Sequence, residues 1–546
     1  MKLERRRIGN KEVFPFTIPS GIVTTEASAI ERIANEVPEI GILTTKSIGP
    51  EPKPGNREPI LAQYAPYCWT NAVGLTNPGA GEFAKRLGKI KIPKDKILLV
   101  SIFGKDAEEF AKVARTLEAN ADGFELNLSC PHAKGYGMQL GQDPEMVRNI
   151  VEAVRTATKK PIFAKLTPNV SNIAEIAQSA MNAGAYGITA INTVGPGAYL
   201  IDNHYVLTNR VGGISGRGIT PIGIKCVKDI TDKLGNIPII GCGGIYIAND
   251  VISYSKAGAS FFGIGSALAG MTEFEIKHYF SALVKDIEKG TNAAKGLLPS
   301  ISTSYRKFTI DEKTDLSNDL HILEMNGKLE ADAGQFVFAW IPEKGEKPFS
   351  IMDTDPLKIG FLERGCFTKE LAKLKKGDEI YFKGPYGLGF TSMDSDIVLV
   401  GGGCGIFGLN LFAKRFNERG TYHWEHNEEI VTVLGAKDKE HIPPLDLFEQ
   451  CGEVHVATED GSHGKKGFVT DLFSGLNLNR NCYFLNCGPK AMIEAVLPLE
   501  LQITSADKVY SSIDYMTRCG VGICGSCANE QGLRTCVEGP FISSQR

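Results

Sequence analysis

No stretch of the 546 residues reaches the roughly 18 apolar residues that a bilayer-spanning helix needs, so no such helix is expected. The opening "MKLERRRIGN" has charge without an apolar segment behind it. No secretion signal is read there, and a soluble, cytoplasmic protein is expected. An excess of one charge is also missing: 60 basic side chains stand against 63 acidic ones, with a net charge of -3 and no concentrated basic run. That argues against nucleic acid or an anionic membrane as partner and leaves small molecules. The 13 cysteines are too sparse for a disulfide scaffold, and four of them crowd near the end of the chain, which fits a reducing compartment. No repeat of solenoid period and no low-complexity tract interrupts the sequence. At about 150 residues per domain, the length implies three or four compact units.

What is present begins with eight short, apolar, β-rich runs: "FPFTIPSG", "IGILTTKS", "ILLVSIFG", "GFELNLSC", "IFAKLTPN", "GITAINT", "IPIIGCGG" and "FFGIGSA". Amphipathic stretches separate them, with helix-start signals such as Asp143 before Pro144. Eight strand–helix repeats over about 290 residues are the count and length of an α/β TIM barrel. The runs end in Ser20, Lys46, Ser101, Asn127, Lys165, Asn192, Gly243 and Ser266. In such a barrel the C-terminal strand ends share one mouth, where chemistry is assembled from several strands at once. Lys165 taken alone reads equally as a lysine with a buried stem and a solvated head, although "IFAKLTP" flanks it with apolar residues.

From about Thr291, "TNAAKGLLPSISTS" is small, polar and Gly/Pro-bearing, as a linker would be. The runs "DLHILEMNG", "GQFVFAWIP", "KIGFLERG" and "DEIYFKGPYG" then alternate as in a small antiparallel β-barrel. Around Asp396 the pattern turns α/β, with "DIVLVGGGCGIFGLNLFAKRF", "EEIVTVLGAK", "GEVHVATEDG" and "NCYFLNCGPKAMIEAV". Gly403, Gly405 and Gly408 form a G-x-G-x-x-G after a strand, a turn that lets a pyrophosphate approach a helix N-terminus. Alone that motif is weak, and it gains weight from "NCGPKAM" at a later strand end. Near the end, "TRCGVGICGSC" spaces thiols as C-x4-C-x2-C, with a fourth to follow. This is the plant-type [2Fe–2S] arrangement, with Cys519, Cys524, Cys527 and Cys536 as candidate ligands.

"KPFSI" (347–351) and "RGCFTKEL" (364–371) resemble the flavin segments of the ferredoxin-NADP reductase superfamily, whose flavin barrel precedes a nicotinamide domain. Lys347 stands where that motif usually has arginine. The resemblance implies FAD at Lys347, Pro348, Phe349, Ser350, Gly365 and Thr368, and NAD+ at Gly403, Gly405, Gly408, Cys487, Gly488 and Pro489. With "GQFV", "ATEDGSHGKKGFVTD" and the terminal cysteines, the second half resembles the electron-transfer subunit of class 1B dihydroorotate dehydrogenases. The first half independently resembles the catalytic subunit of that family, through "NAVGLTNPG", "ELNLSCPH", "AKLTPN", "AINT" and "GCGG". A fusion of the two is therefore expected, with an FMN barrel at 1–295, a FAD β-barrel at 301–393, a nicotinamide domain at 394–505 and a [2Fe–2S] segment at 506–546.

The resemblance implies oxidation of (S)-dihydroorotate to orotate in pyrimidine biosynthesis, electrons passing from FMN to [2Fe–2S] to FAD to NAD+. It implies Cys130 as the base, and Lys46 with the backbone of Val73, Gly74 and Leu75 at the substrate carboxylate. Asn71, Asn127, His132, Asn192 and Thr193 would surround the pyrimidine, with Lys165 beside the flavin ring. FMN would lie on Ser20, Gly21, Lys46, Ser47, Asn127, Lys165, Ile191, Gly213, Ser215, Gly216, Gly243, Gly244, Gly265 and Ser266. A homodimer through the barrel is also implied. NAD versus NADP stays open, because "VLGAKDKE" offers both Lys437 and Asp438. His132 stands where most of the family carries asparagine, and dihydropyrimidine dehydrogenases share "SCPH", so uracil or thymine is the alternative substrate. A flavin electron carrier serving a protein partner is the alternative from another class. An RNA-modifying barrel of the dihydrouridine synthase kind would need a basic surface that this charge balance does not provide.

Overall fold

The computed structural model describes residues 1–128, 140–391, 393, 395–418, 429–478, 480–513 and 516–546. The chain divides into two compact units, Met1–Ser302 with Val521–Arg534, and Thr303–Gly520 with Thr535–Arg546.

In the first unit, eight parallel strands close a barrel in chain order: β1 (Phe16–Ile18), β2 (Ile40–Thr44), β3 (Ile97–Ile102), β4 (Gly123–Asn127), β5 (Ile162–Leu166), β6 (Gly187–Ala190), β7 (Ile239–Cys242) and β8 (Phe261–Gly263). They fall in the eight expected runs. Every residue of β2, β3, β4 and β5 is buried, since helices cover the outside while side chains fill the centre. In the helix Pro144–Ala157, the Asp143 carboxylate accepts from the N–H groups of Glu145 and Met146, and Val147, Ile150, Val151 and Val154 face inward. Register sets Ser101 opposite Glu125 and Asn127 opposite Lys165, so neighbouring strands present polar groups side by side.

A four-stranded antiparallel sheet accompanies the barrel, in the order Val194–Ala198, Val211–Gly216, Cys68–Asn71, Leu61–Ala65. Its glycine-rich segments, "VGPGA" and "VGGISG", carry too little apolar alternation to read as strands. Gly213 pairs with Asn71 in this sheet.

The second unit holds two seven-stranded sheets. One is antiparallel and contains the four expected runs together with Arg306–Asp315, Gly345–Ser350 and the short Asp353–Thr354. The other runs Lys465–Lys466, Gly452–Thr458, Ile430–Ala436, Ile397–Gly402, Tyr483–Cys487, Val509–Ser512, Phe541–Ser543, parallel except for its last pair. Two pieces of the segment 506–546 extend this sheet, and Val521–Arg534 belongs to the first unit. Strand order reverses between Ile397–Gly402 and Tyr483–Cys487, a switch point beyond whose carboxyl ends α/β sheets bind ligands. The G-x-G-x-x-G lies there as tight 3-10 turns, Gly403–Leu409, before the α-helix Asn410–Asn417. No described helix is long and apolar enough to cross a membrane.

Candidate functional site

The barrel mouth opens on a cavity of about 220 Å³. Among its lining residues are Lys46 and Lys165, Asn71, Asn127 and Asn192, Thr193, Ser20, Ser47, Ser215 and Ser266, with Ile191. The loop residues Val73, Gly74 and Leu75 and the glycines 21, 216, 243, 244 and 265 complete the expected set. Gly213 is the described residue of that set that does not line the cavity, because the side where a Cβ would sit faces the Thr193 hydroxyl at 2.2 Å. Cys130 and His132 lie outside the described residues.

A continuous hydrogen-bonded network supports the wall. The Ser47 hydroxyl is 3.0 Å from those of Ser20 and Ser101, and the Asn127 amide donates to it at 2.9 Å. The Asn192 amide donates to Asn127 Oδ1 at 3.3 Å, and Ser101 donates to Glu125 at 3.3 Å. Glu125 in turn meets Lys165 Nζ at 3.5 Å. Lys165 is only 5% exposed and Glu125 only 1%, so the lysine turns into the barrel and pairs there, without reaching solvent. Glu125 was missed in the sequence, though its place two residues before Asn127 on a strand puts both on one face.

Backbone shape provides the rest. Gly74 and Leu75 both take left-handed φ, at 81° and 57°, while Asn56 holds the loop by donating from its N–H to Val73 O and from its amide to Ala72 O. At the ends of β7 and β8, a Cβ on Gly244 would come within 2.2 Å of Thr220 Oγ1, so only glycine closes this turn. Tyr246 OH donates to Ser266 Oγ at 2.9 Å, another residue the sequence did not flag. The cavity also contains Cys242, whose thiol burial pushes up to about 11 while it donates to Ile191 O. It stays protonated at neutral pH and is no base there. Ile523 and Cys524 line the same cavity, and nothing in the sequence pattern placed them there.

Two ammonium groups, serine hydroxyls and glycine turns around an open mouth suit an anionic, phosphate-bearing flavin such as FMN. The four late cysteines are buried and form no disulfide. Gly520, Gly522 and Gly525 between them are left-handed, at 78°, 72° and 67°, as tight thiolate loops require. Among the described residues, no three His, Cys, Asp or Glu side chains gather for a single ion. A [2Fe–2S] cluster asks only for two ligands on each iron, and four buried thiols outside any disulfide fit it.

In the second unit, Phe349 and Phe367 approach to 6.1 Å between ring centroids, bringing the two expected FAD segments together. Thr368 Oγ1 accepts from the N–H groups of Arg364 and Gly365, while Lys347 and Gly365 are exposed. At the switch point, a Cβ on Gly405 would come within 2.3 Å of Cys487 O. One on Gly408 would lie 3.1 Å from both Ser350 Oγ and Cys487 Sγ, so the segments expected at the nicotinamide and at FAD adjoin. Asp438 is engaged as a cap, accepting from the N–H groups of Glu440 and His441.

Residues 3–287 match the family model "Dihydroorotate dehydrogenase", and residues 514–546 match "Iron-sulfur cluster binding domain of dihydroorotate dehydrogenase B". Among curated proteins, the chain is similar to the catalytic subunits of dihydroorotate dehydrogenase B (NAD(+)) from Methanocaldococcus jannaschii and Pyrococcus abyssi. The first is 44% identical over 46% of this chain and 83% of that protein, the second 44% over 54% and 98%. The subunit of that name from Thermococcus kodakarensis is 47% identical over 42% of this chain and 75% of its own length. The chain belongs to the dihydroorotate dehydrogenase family, and one polypeptide joins the barrel to an iron–sulfur-binding domain of the B type.

Proposed function

We propose that this protein oxidises dihydroorotate to orotate at the barrel mouth and delivers the electrons to NAD+ in its second unit. The observation that carries the reading is the mouth, where two lysines and three asparagines from different strands and loops face one cavity. Lys46 and the N–H groups of Val73, Gly74 and Leu75 hold the substrate carboxylate, and Asn71, Asn127, Asn192 and Thr193 orient the pyrimidine edge. Cys130, three residues past the end of β4, takes the proton from C5. A thiol of pKa about 8.5 is close enough to neutral to do so. Lys165, steadied by Glu125, holds positive charge toward the flavin ring. Gly243, Gly244, Gly265 and Ser266 offer backbone donors to its phosphate.

When bound, FMN would supply the hydride acceptor for C6, the cluster a one-electron carrier, and FAD the hydride donor to NAD+. Cys519, Cys524, Cys527 and Cys536 hold the cluster. Lys347, Pro348, Phe349, Ser350, Gly365 and Thr368 hold FAD, while Gly403, Gly405, Gly408, Cys487, Gly488 and Pro489 receive NAD+.

The test is anaerobic turnover of the holoprotein with NAD+ and either dihydroorotate or dihydrouracil, following orotate and NADH. Orotate formation is expected, and turnover of dihydrouracil alone overturns the reading. Cys130→Ala is expected to slow the flavin's reduction by dihydroorotate by about two to four orders of magnitude with FMN still bound, as for loss of a general base.

A further inference from the structure

Four successive carbonyls of the cysteine loop are all occupied within the first unit. Val521 O accepts from the N–H of Gly270 at 2.8 Å, and Ile523 O from the N–H of Val23 at 2.7 Å. Cys524 O accepts from the Thr25 hydroxyl at 2.6 Å. Gly522 O accepts from Arg534 Nη1 at 3.2 Å, while Nη2 of the same guanidinium donates to Met271 O at 2.9 Å, just beyond β8. Arg534 is 1% exposed. A buried guanidinium spending two arms on carbonyls of different segments ties them at a fixed separation, because its donors form a rigid fork. The fit leaves no slack: a Cβ on Gly525 would come within 2.6 Å of Val23 O, and one on Gly532 within 2.5 Å of Ser28 O.

We propose that Arg534 is a positioning residue which, with Thr25, clamps the Cys524 loop against the barrel mouth, so that electrons leave the flavin site by way of Cys524. This rests on the functional reading above, and Cys524 lining the same cavity as Lys165 and Gly265 gives it its geometry. The reduced flavin would give up its two electrons one at a time, each reducing one Fe(III) to Fe(II) and being passed on to the second flavin before the next arrives, so the separation held by Arg534 and Thr25 would set the rate and not the yield.

The test mixes dihydroorotate anaerobically with holoprotein carrying Arg534→Gln, Arg534→Lys or Thr25→Val, resolving flavin bleaching from cluster reduction by stopped-flow absorbance and freeze-quenched EPR. Flavin bleaching, iron and sulfide content and the cluster's EPR spectrum are expected to match the unaltered protein. Cluster reduction is expected to slow by about 10- to 100-fold in Arg534→Gln, the range for partners that orient metal ligands. Arg534→Lys, which keeps the charge but loses the fork, is expected to fall between, and Thr25→Val to slow the same phase. Cluster reduction at the unaltered rate in Arg534→Gln overturns the proposal. If that variant lacks iron, an unaltered rate in Thr25→Val overturns it equally. Failure of dihydroorotate to bleach the flavin of the unaltered protein would strike the functional reading instead.

Discussion

Lys165 and Glu125 illustrate how a buried charge is kept. Each alone would meet a large desolvation penalty, and their 3.5 Å contact inside the barrel offsets it only while both are present. Lys165→Met is expected to lower the unfolding free energy by about 3–5 kcal/mol, as for breaking a buried pair. Lys225→Met, which breaks the exposed pair with Asp229, should leave the urea midpoint nearly unchanged. Urea titration of both variants checks the contrast, and equal effects would mean that Glu125 is compensated by other groups. Cys242 shows burial acting on a thiol, since a group held at about 11 is not a thiolate at neutral pH. Native protein treated with iodoacetamide is expected to leave Cys242 unmodified by peptide mass mapping, with alkylation appearing after unfolding.

The helix Lys490–Glu500 and the strand Tyr483–Cys487 behind the switch point meet through Glu500, which is fully buried and accepts from the Asn486 amide at 2.9 Å. Glu500 Oε1 and Asn486 Oδ1 are buried with no hydrogen-bond partner. Burial pushes the Glu500 carboxyl up to about 7, only partly countered by Asn486. An unfolded glutamate titrates near 4.3, so between these values the native state holds the extra proton. Stability contributed here is full below that lower value and falls as pH rises through about 7, by about 4 kcal/mol in all. Glu500→Gln should abolish that slope, seen by comparing denaturation of both proteins at about pH 5 and about pH 8. An unchanged slope would place the proton elsewhere. The sequence could show the strand and helix but not this contact, because Asn486 and Glu500 meet only through packing. Elements without alternation were hidden for a related reason. "RKFTIDEKTD" forms the long strand Arg306–Asp315 although half or more of its residues are charged, since sheet pairing outweighs local preference.

For the whole molecule, the barrel was legible because eight apolar runs separated by amphipathic stretches point to one architecture, and the residues ending seven of those runs line the mouth, Ser101 lying behind Ser47. The destination of the last cysteines was not legible. Spacing names ligands, but it does not say that Val521–Arg534 joins the first unit while Cys519 and Cys536 belong to the second. The proposed function then predicts three separable activities: dihydroorotate to an artificial dye at the barrel, NADH to a dye at the second unit, and dihydroorotate to NAD+ through the whole chain. Cys524→Ser removes one proposed cluster ligand at the edge of the barrel mouth and leaves the lysines, asparagines and glycines of that mouth in place. It is expected to bleach the cluster and abolish dihydroorotate-coupled NAD+ reduction, while both dye activities persist, since Cys524 lines the mouth but is not among the residues proposed to hold the substrate or either flavin. Persistence of NAD+ reduction in a protein shown by EPR to lack the cluster would route electrons around it. Loss of the barrel's dye activity would instead make Cys524 part of the flavin site itself.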